Sequence, residues 1–531
     1  MLPFLLKHSI FKLDSFFTKL LLLGFLLLFI LFPSSFVLIF LLKHSSEIVS
    51  FLSLPSRLYL ITGALVFSLK IAALVAFVDL VFGLPFAWLL TRSQFPGSRL
   101  LENISSLPLA LPTSALGFSA AIFWSFTNIP LSAFWFLVLV HLSFTFPFAV
   151  GILGTALKRE TGSLEQAATI LGAPKLTVIR TVILPQIKPE LITAMFFCFA
   201  RSLSETGATI VALTVFGVTK ATAPVLVAQL GNGESAQITP DEKMLLAAII
   251  SGILIFISIS LFSLLHTIMK NKSFPLLPKM AHLETKLNSS FFIRLKNIIL
   301  FSFFIFVILI PPFFILNRVL GVRTFDFSSL AVNLFNSLFI ALCVTIVNLL
   351  MGVPMAYFLV HSGSKRLCNL MNFLVDIPLI IPTVALGFSL GLYWKNYGFI
   401  VPDMLLIVMA HLAFTYPYVV RTLRDAFIGL SNEFIDASRG FGAPPIMVLR
   451  SIILPLLAPA FVTAAVLVAT RSLSETGATM AVTKNAVTAP VYIVNLVNNQ
   501  QLEQAGIASA LLIILTFAMF TLLRRSAFVK R

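Results

Sequence analysis

Residues 165–185 read EQAATILGAPKLTVIRTVILP, and residues 435–455 read IDASRGFGAPPIMVLRSIILP. Each is a polar, basic island in an otherwise apolar chain. Each is followed by a hydrophobic segment carrying the same eight-residue string, RSLSETGA, at 201–208 and again at 471–478. A membrane-spanning segment rarely tolerates one Arg and one Glu, and here the same pair occurs twice. The duplicated units are therefore where function is to be sought.

The surroundings of these units fix the class. The chain has 531 residues, 59% of them hydrophobic and 11% charged. A soluble domain cannot hide that much apolar surface. Runs of about 20 apolar residues recur along the whole chain, which reads as a polytopic helical membrane protein. Barrel strands would alternate apolar and polar residues, and these runs do not. The net charge of +17 fits anionic lipid and a positive-inside bias rather than nucleic acid. Cys198, Cys343 and Cys368 are far apart and follow no metal or disulfide spacing, so no metal site is expected.

In chain order, Lys7, Lys12 and Lys19 precede a first apolar run over 20–42. The run is too long for a signal peptide and no small-residue cleavage site follows, so it reads as a retained anchor helix. Further spans are expected near 62–91, 105–126, 132–156, 187–215 and 244–268, then 297–317, 330–360, 371–394, 398–422, 457–483 and 505–523. That makes twelve. The first half is 1–268 with a core at 60–268, a polar linker with Pro275 and Pro278 covers 269–296, and the second half is 297–531 with a core at 328–525. With both termini cytoplasmic, the outer loops hold Lys43, Arg57, Lys220, Lys243, Arg318, Arg323, Lys395 and Lys484. Lys70, Arg201 and Arg471 fall inside spans, and all other Lys and Arg lie on the cytoplasmic side. That bias supports this orientation and puts both islands in the cytoplasm.

The two halves repeat. At an offset of 269, Gly83, Pro85 and Ala87 match Gly352, Pro354 and Ala356, with Asp79 at the position of Asn348. At an offset of 270, Pro108, Pro112, Gly117 and Trp124 match Pro378, Pro382, Gly387 and Trp394, and the stretch from His141 to Pro147 matches that from His411 to Pro417. After a four-residue shortening, Thr222-Ala-Pro224 matches Thr488-Ala-Pro490. An even number of spans per half gives both repeats the same orientation, related by an axis along the membrane normal, with a pathway between them.

Each island reads as a short helix tied to the next span. Ser163 with Gln166 has capping-box spacing, and Gly172 with Pro174 ends the helix. Ala167, Ala168 and Gly172, and Ala437, Ser438 and Gly442, form small surfaces that another protein can approach. Lys175, Arg180, Arg439 and Arg450 add positive charge. An amphipathic helix resting on headgroups is the alternative, and duplication favours docking. In RSLSETGA, Arg201 with Glu205 and Arg471 with Glu475 are spaced to pair on a helix. They are either neutralised packing pairs or groups lining a pathway or gate, and Gly207 and Gly477 allow close approach or bending there. Asp79 and Asn348 read as a buried structural polar pair, Lys70 as a snorkelling side chain, and His141 and His411 as packing residues rather than a proton relay. The Pro108–Pro112 and Pro378–Pro382 pairs suggest kinks near the centre.

These islands resemble the signature of binding-protein-dependent ABC importer permeases. That signature reads Glu-Ala-Ala, three residues, Gly, nine residues, then Ile-x-Leu-Pro. The first copy gives Gln166-Ala167-Ala168, Gly172 and Val182-Ile-Leu184-Pro185. The second gives Asp436-Ala437-Ser438, Gly442 and Ile452-Ile-Leu454-Pro455. Glu165 stands beside Gln166 at the acidic position, and Thr206 and Thr476 replace an aromatic that the family often has. The resemblance implies an all-α type I importer fold of two parallel six-helix repeats, fused in one chain. It implies coupling helices (Glu165, Gln166, Ala167, Ala168, Gly172; Asp436, Ala437, Ser438, Gly442) that dock on two cytoplasmic ABC ATPase subunits, with an extracytoplasmic solute-binding protein opposite. The outer loops at 216–243 and 484–504 are its expected docking surfaces.

No Gly-x-x-x-x-Gly-Lys-Ser/Thr loop and no nucleophile–base constellation occurs, so the chain is expected to have no enzymatic site and no cofactor of its own. A membrane-embedded enzyme would gather its polar residues in one place. A gradient-driven secondary transporter of six plus six spans would share the symmetry without needing the islands. For the solute, fused permeases resemble ferric-iron and thiamine importers, while Arg-x-Leu-x-Glu-x-Gly-Ala looks more like molybdate and sulfate permeases. The expectation leans to ferric iron or another small inorganic ion, with thiamine or an oxyanion as the alternative.

Overall fold

The fold is seen in a computed structural model, which describes residues 16–93, 95–159, 163–232, 239–269, 284, 287–317, 325–362, 364–396, 401–430, 432–483 and 485–528. Most of the expected linker, the N-terminal Lys7 and Lys12, Lys484, Arg318 and Arg323, and residues 233–238 of the first outer loop lie outside the described residues.

Within these residues the chain is helical, and its halves use the same parts. The first has α1 (Pro55–Arg92), α2 (Thr113–Phe126), α3 (Ala133–Arg159), α4 (Ser163–Ile170), α5 (Lys188–Leu203), α6 (Gly207–Val215) and α7 (Pro240–Met269). The second has α8 (Phe327–His361), α9 (Thr383–Asn396), α10 (Asp403–Ile428), α11 (Asn432–Gly440), α12 (Leu454–Leu473), α13 (Gly477–Val482) and α14 (Leu502–Phe528). A lead helix precedes each set, Leu20–Lys43 and Ser290–Asn317. In each half the long first helix packs along the third, α1 on α3 and α8 on α10. Gly83 and Gly352 allow it: a β-carbon would stand 3.1 Å from Ala149 Cβ at the first and 2.6 Å from Val419 Cγ1 at the second.

Several of the twelve expected spans are bent or divided. Among the described residues nine helices are long and apolar enough to cross a membrane, or eleven if each of two bent pairs counts as one. The expected spans 187–215 and 457–483 are each interrupted, at Ser204–Thr206 and Ser474–Thr476. The span 371–394 turns through 105° between Ile380 and Thr383, and 105–126 is divided at Leu111–Pro112. A proline cannot supply a helical N–H, so the chain restarts there as a new helix.

The lead helices hold the halves together by crossing over. The first packs on α9 of the second half, and the second packs on α2 of the first. In each, a serine hydroxyl sits inside a helical hydrogen bond. Ser389 Oγ donates to Pro33 O at 2.7 Å and accepts from Val37 N–H at 2.9 Å. Ser119 Oγ donates to Pro311 O at 2.7 Å and accepts from Ile315 N–H at 3.0 Å. Both carbonyl–amide pairs are i to i+4, so the hydroxyl replaces a direct bond with a bridge and satisfies both groups. As a result α2 and α9 are enclosed by the opposite half: residues 113–121 and 383–391 are buried throughout. The runs TSALGFSAA and TVALGFSLG are small or apolar all round, as a fully buried helix requires.

The repeated Thr-Ala-Pro tripeptides also gain a reason. Ser68 on α1 accepts the Ala223 N–H and Ser337 on α8 accepts the Ala489 N–H, both at 2.8 Å. Each bond satisfies a donor at the start of a short helix, Ala223–Asn232 or Ala489–Asn498.

Candidate functional site: the paired helix breaks

The two interruptions in RSLSETGA meet at the centre. Helix α5 ends at Leu203, so Arg201 and Glu205 do not share one continuous helix as the i, i+4 spacing implies. They pair across its end. Glu205 Oε2 takes Arg201 Nη1 at 2.7 Å, and its Oε1 accepts the Ala208 N–H at 3.0 Å. One carboxylate thus clamps the last turn of α5 to the first turn of α6. The cation sits near a helix C-terminus and the anion near an N-terminus, both favourable to the helix dipoles. The second half repeats this with Arg471 Nη2 to Glu475 Oε2 at 2.7 Å and Ala478 N–H to Glu475 Oε1 at 3.1 Å.

The histidines brace the same breaks. His141 Nδ1 lies 2.8 Å from Ser202 Oγ and Nε2 lies 3.0 Å from Thr209 Oγ1; His411 makes the same contacts with Ser472 and Thr479 at the same distances. Thr209 donates its own hydroxyl proton to the Glu205 carbonyl, so it accepts from Nε2–H, and Nδ1 accepts from Ser202. Each imidazole joins the residue before the break to the residue after it. Sequence alone gave the histidines a packing role and missed their partners, although Ser202 and Ser472 lie inside the duplicated string and Thr209 and Thr479 follow it directly.

The breaks touch each other across the repeat interface. A β-carbon on Gly207 would stand 2.6 Å from Thr476 Oγ1, and one on Gly477 would stand 2.6 Å from Thr206 Oγ1. Helices α6 and α13 are held equally close to α2 and α9: a β-carbon on Gly117 would lie 2.5 Å from Ala208 Cα, and one on Gly387 would lie 2.6 Å from Ala478 O. Small residues bring these backbones together.

Next to this contact is a cavity of about 340 Å³. Arg201 and Ser204 line it from one half, Arg471 and Ser474 from the other. Each guanidinium also lies over an aromatic ring of the wall, Arg201 over Phe144 at 5.2 Å and Arg471 over Phe414 at 5.1 Å. Thr113 and Thr383, the first residues of α2 and α9, face the same space. Glu205, Glu475, Gly207 and Gly477 do not line it; they form the packed contact behind the arginines. The cavity continues along Ile192, Phe196 and Phe197 of α5, towards the end of the molecule that carries the islands. Asp376 and Arg421, paired at 2.7 Å, line it on one side only. The corresponding first-half positions are Ser106 and Gly151. Sequence reading passed over this asymmetric pair.

Asp79 and Asn348 do not form a pair with each other. Each lies fully buried in its own half, Asn348 donating to Thr415 Oγ1 at 2.6 Å and Asp79 facing Thr145 and Cys198.

The islands fold as exposed hairpin-like arms. Helices α4 and α11 each end on a glycine in the left-handed region, Gly172 with φ +82° and Gly442 with φ +77°. The amide of Ala173 returns to Ala168 O and that of Ala443 to Ser438 O, which closes each helix. Just before those glycines, Leu171 is 87% exposed and Phe441 is 92% exposed. Each arm then runs through a π segment, Ile179–Ile183 or Leu449–Ile453, into α5 or α12. Arg92 lies 3.5 Å from Glu165, which ties the first island to the end of α1.

Two stretches of the chain, residues 79–271 and 348–530, match the family described as binding-protein-dependent transport system inner membrane component. Together they cover more than half of its length. The chain belongs to that family. It carries the family unit twice and is a multi-pass inner-membrane protein. It is 38% identical over 156 residues to the sulfate transport system permease protein CysT of Salmonella typhimurium, which covers 27% of this chain and 56% of that relative. It is 36% identical over 159 residues to the molybdenum transport system permease protein ModB of Escherichia coli K12, covering 28% and 69%. It is 28% identical over 189 residues to the molybdate/tungstate transport system permease protein WtpB of Pyrococcus abyssi, covering 36% and 75%. The chain thus spans a little over half of the sulfate relative's length.

Proposed function

We propose that this chain is the translocation subunit of an ATP-driven importer of a small tetrahedral oxyanion, of the sulfate, molybdate or tungstate class. The observation that carries this is one cavity faced by Arg201 and Arg471, one from each repeat. Guanidinium groups present several donors in a fixed plane and suit an oxyanion. Each is held by its own glutamate, so the arginines are placed without leaving a lone charge in the bilayer. The names of the relatives favour the oxyanion over the ferric-iron lean drawn from chain fusion.

The islands are proposed as coupling helices. Glu165, Gln166, Ala167, Ala168 and Gly172 on one, and Asp436, Ala437, Ser438 and Gly442 on the other, would each sit in a groove of an ABC ATPase subunit. The exposed Leu171 and Phe441 support this, since large apolar side chains at a polar tip suit burial by a partner. A solute-binding protein would dock at the opposite end. With both termini cytoplasmic, the cavity extends towards the cytoplasm while the Gly207–Thr476 and Gly477–Thr206 contacts close the outer side. That is an inward-facing arrangement. ATP-driven approach of the two ATPases would draw the arms together and, through α5 and α12, part the breaks.

The test is a pull-down of the tagged chain from solubilised native membranes beside a Gly172→Arg, Gly442→Arg variant, with uptake of labelled sulfate and molybdate by cells expressing each. An ATPase that co-purifies with the native chain and is lost from the variant, together with lost uptake, supports the reading. An intact native chain that brings down no ATPase would sink it and favour a gradient-driven transporter.

A further inference from the structure

The two arms are equivalent in sequence position but not in what holds them. Glu284, from the segment joining the repeats, is only 7% exposed. Its carboxylate receives Arg180 Nε at 2.5 Å and Arg180 Nη2 at 3.3 Å, and the hydroxyl of Thr177 at 2.5 Å. Both partners belong to the first arm, and Arg180 lies in its π segment. The hydrogen bonds from Arg180, and then from Thr177, hold the Glu284 carboxyl below its ordinary value, so it stays an anion.

Among the described residues, the second-arm positions that match Arg180 and Thr177 do not form this anchor. Arg450 stands at the position of Arg180 and is exposed, while Met447 stands at the position of Thr177, is 54% exposed and has no proton to donate. The geometry of the arms differs in step. The first bends through 78° between Gln186 and Lys188 before α5 begins. The second runs as one helix from Arg450 to Leu473. Pro189 and Pro459 occupy matching positions, so proline alone does not set the bend. A further first-half ion pair, Arg159 with Glu190, flanks the bend, where the second half has Gly429 and Ala460.

We propose that Glu284 is a positioning residue: a latch that braces the first coupling arm and makes the two arms mechanically unequal. The latched arm keeps a fixed bend and the unlatched arm follows its ATPase more freely. A buried carboxylate with a bidentate arginine and a hydroxyl is a specific, directional tie, unlike a solvated surface pair. The functional part of the proposal rests on the coupling reading above; the latch itself does not.

The first measurement therefore needs no ATPase. In the full chain freed of Cys198, Cys343 and Cys368, a nitroxide is placed at Ala167→Cys or at Ala437→Cys, and mobility is read by electron paramagnetic resonance in lipid nanodiscs. The first-arm label is expected to be the less mobile. Glu284→Gln is expected to raise it towards the second-arm level, short of it because Arg92 still holds Glu165, and to leave the second arm unchanged. The exchange Glu284→Arg, Arg180→Glu is expected to restore the difference. Equal mobility in the native chain, or a first arm indifferent to Glu284→Gln, overturns the latch. In the assembled transporter, oxyanion uptake per ATP hydrolysed is expected to fall roughly threefold in Glu284→Gln and to recover in the exchange variant. An unchanged ratio overturns the positioning role while the label data stand. Failure of the coupling reading shows separately, as absence of any ATPase in the pull-down.

Discussion

Gly207 of the first repeat lies directly against Thr476 of the second: a β-carbon on the glycine would stand 2.6 Å from the threonine Oγ1 and 2.8 Å from its Cβ. Gly477 and Thr206 repeat the contact. The closure of the centre thus depends on two positions having no side chain. Gly207→Ala and Gly477→Ala are expected to force the breaks apart at a cost of about 1–3 kcal/mol, typical of overpacking. Melting in detergent should fall and oxyanion uptake should be lost. Adding Thr476→Gly to Gly207→Ala should recover both. Native uptake and melting in Gly207→Ala alone would show that the contact is not formed in the working protein.

The Arg–Glu clamps can be separated into packing and pathway roles. Glu205→Gln leaves Arg201, half-buried on the cavity wall, without its counter-ion, which costs up to about 3–5 kcal/mol, and the variant should melt early. The double replacement Arg201→Gln, Glu205→Gln removes both charges and should regain most of the stability. If Arg201 guides an anion, sulfate and molybdate uptake stays lost in the double variant. Recovery of uptake along with stability would assign the pair to packing alone.

His141 and His411 hold the segments on either side of each break. His141→Ala orphans the Ser202 hydroxyl, at about 1–3 kcal/mol for a buried group, and takes away the N–H that Thr209 accepts while leaving its bond to the Glu205 carbonyl. We expect a clear drop in melting temperature, with His411→Ala behaving alike through Ser472 and Thr479. A proton relay would instead leave stability intact and make uptake depend on the proton gradient. Uptake by vesicles with and without a protonophore, under constant ATP, tells the two apart.

Ser119 and Ser389 bridge broken bonds in the opposite half's lead helices. Ser119→Ala leaves Pro311 O and Ile315 N–H without their bridge, and Ser389→Ala does the same to Pro33 O and Val37 N–H. Each is expected to cost about 1–3 kcal/mol and to loosen the crossed helices. Protease cutting between the halves, followed by size-exclusion chromatography, would show whether the separated repeats still travel together. Fragments that stay paired with native melting in Ser119→Ala and Ser389→Ala would show these bridges to be dispensable.

Much of this was written in the sequence. The apolar runs dictated a helical membrane protein, because lipid offers backbone groups no partner. The offset of 270 between His141 and His411, Gly117 and Gly387, and the two RSLSETGA strings announced two parallel repeats. The island spacing from Gln166 to Pro185 and from Asp436 to Pro455 announced the family. Three things were decided only in three dimensions. The spans near 187–215 and 457–483 are interrupted because Glu205 and Glu475 fold back onto the amides of Ala208 and Ala478, and hydropathy cannot see a side chain capping its own backbone. The arginines share one cavity because the breaks abut at Gly207–Thr476 and Gly477–Thr206, a contact between residues 269 and 271 positions apart that no local pattern encodes. And the arms differ because Glu284 reaches one of them; periodicity gives a helix its faces, but only packing decides which distant carboxylate meets them.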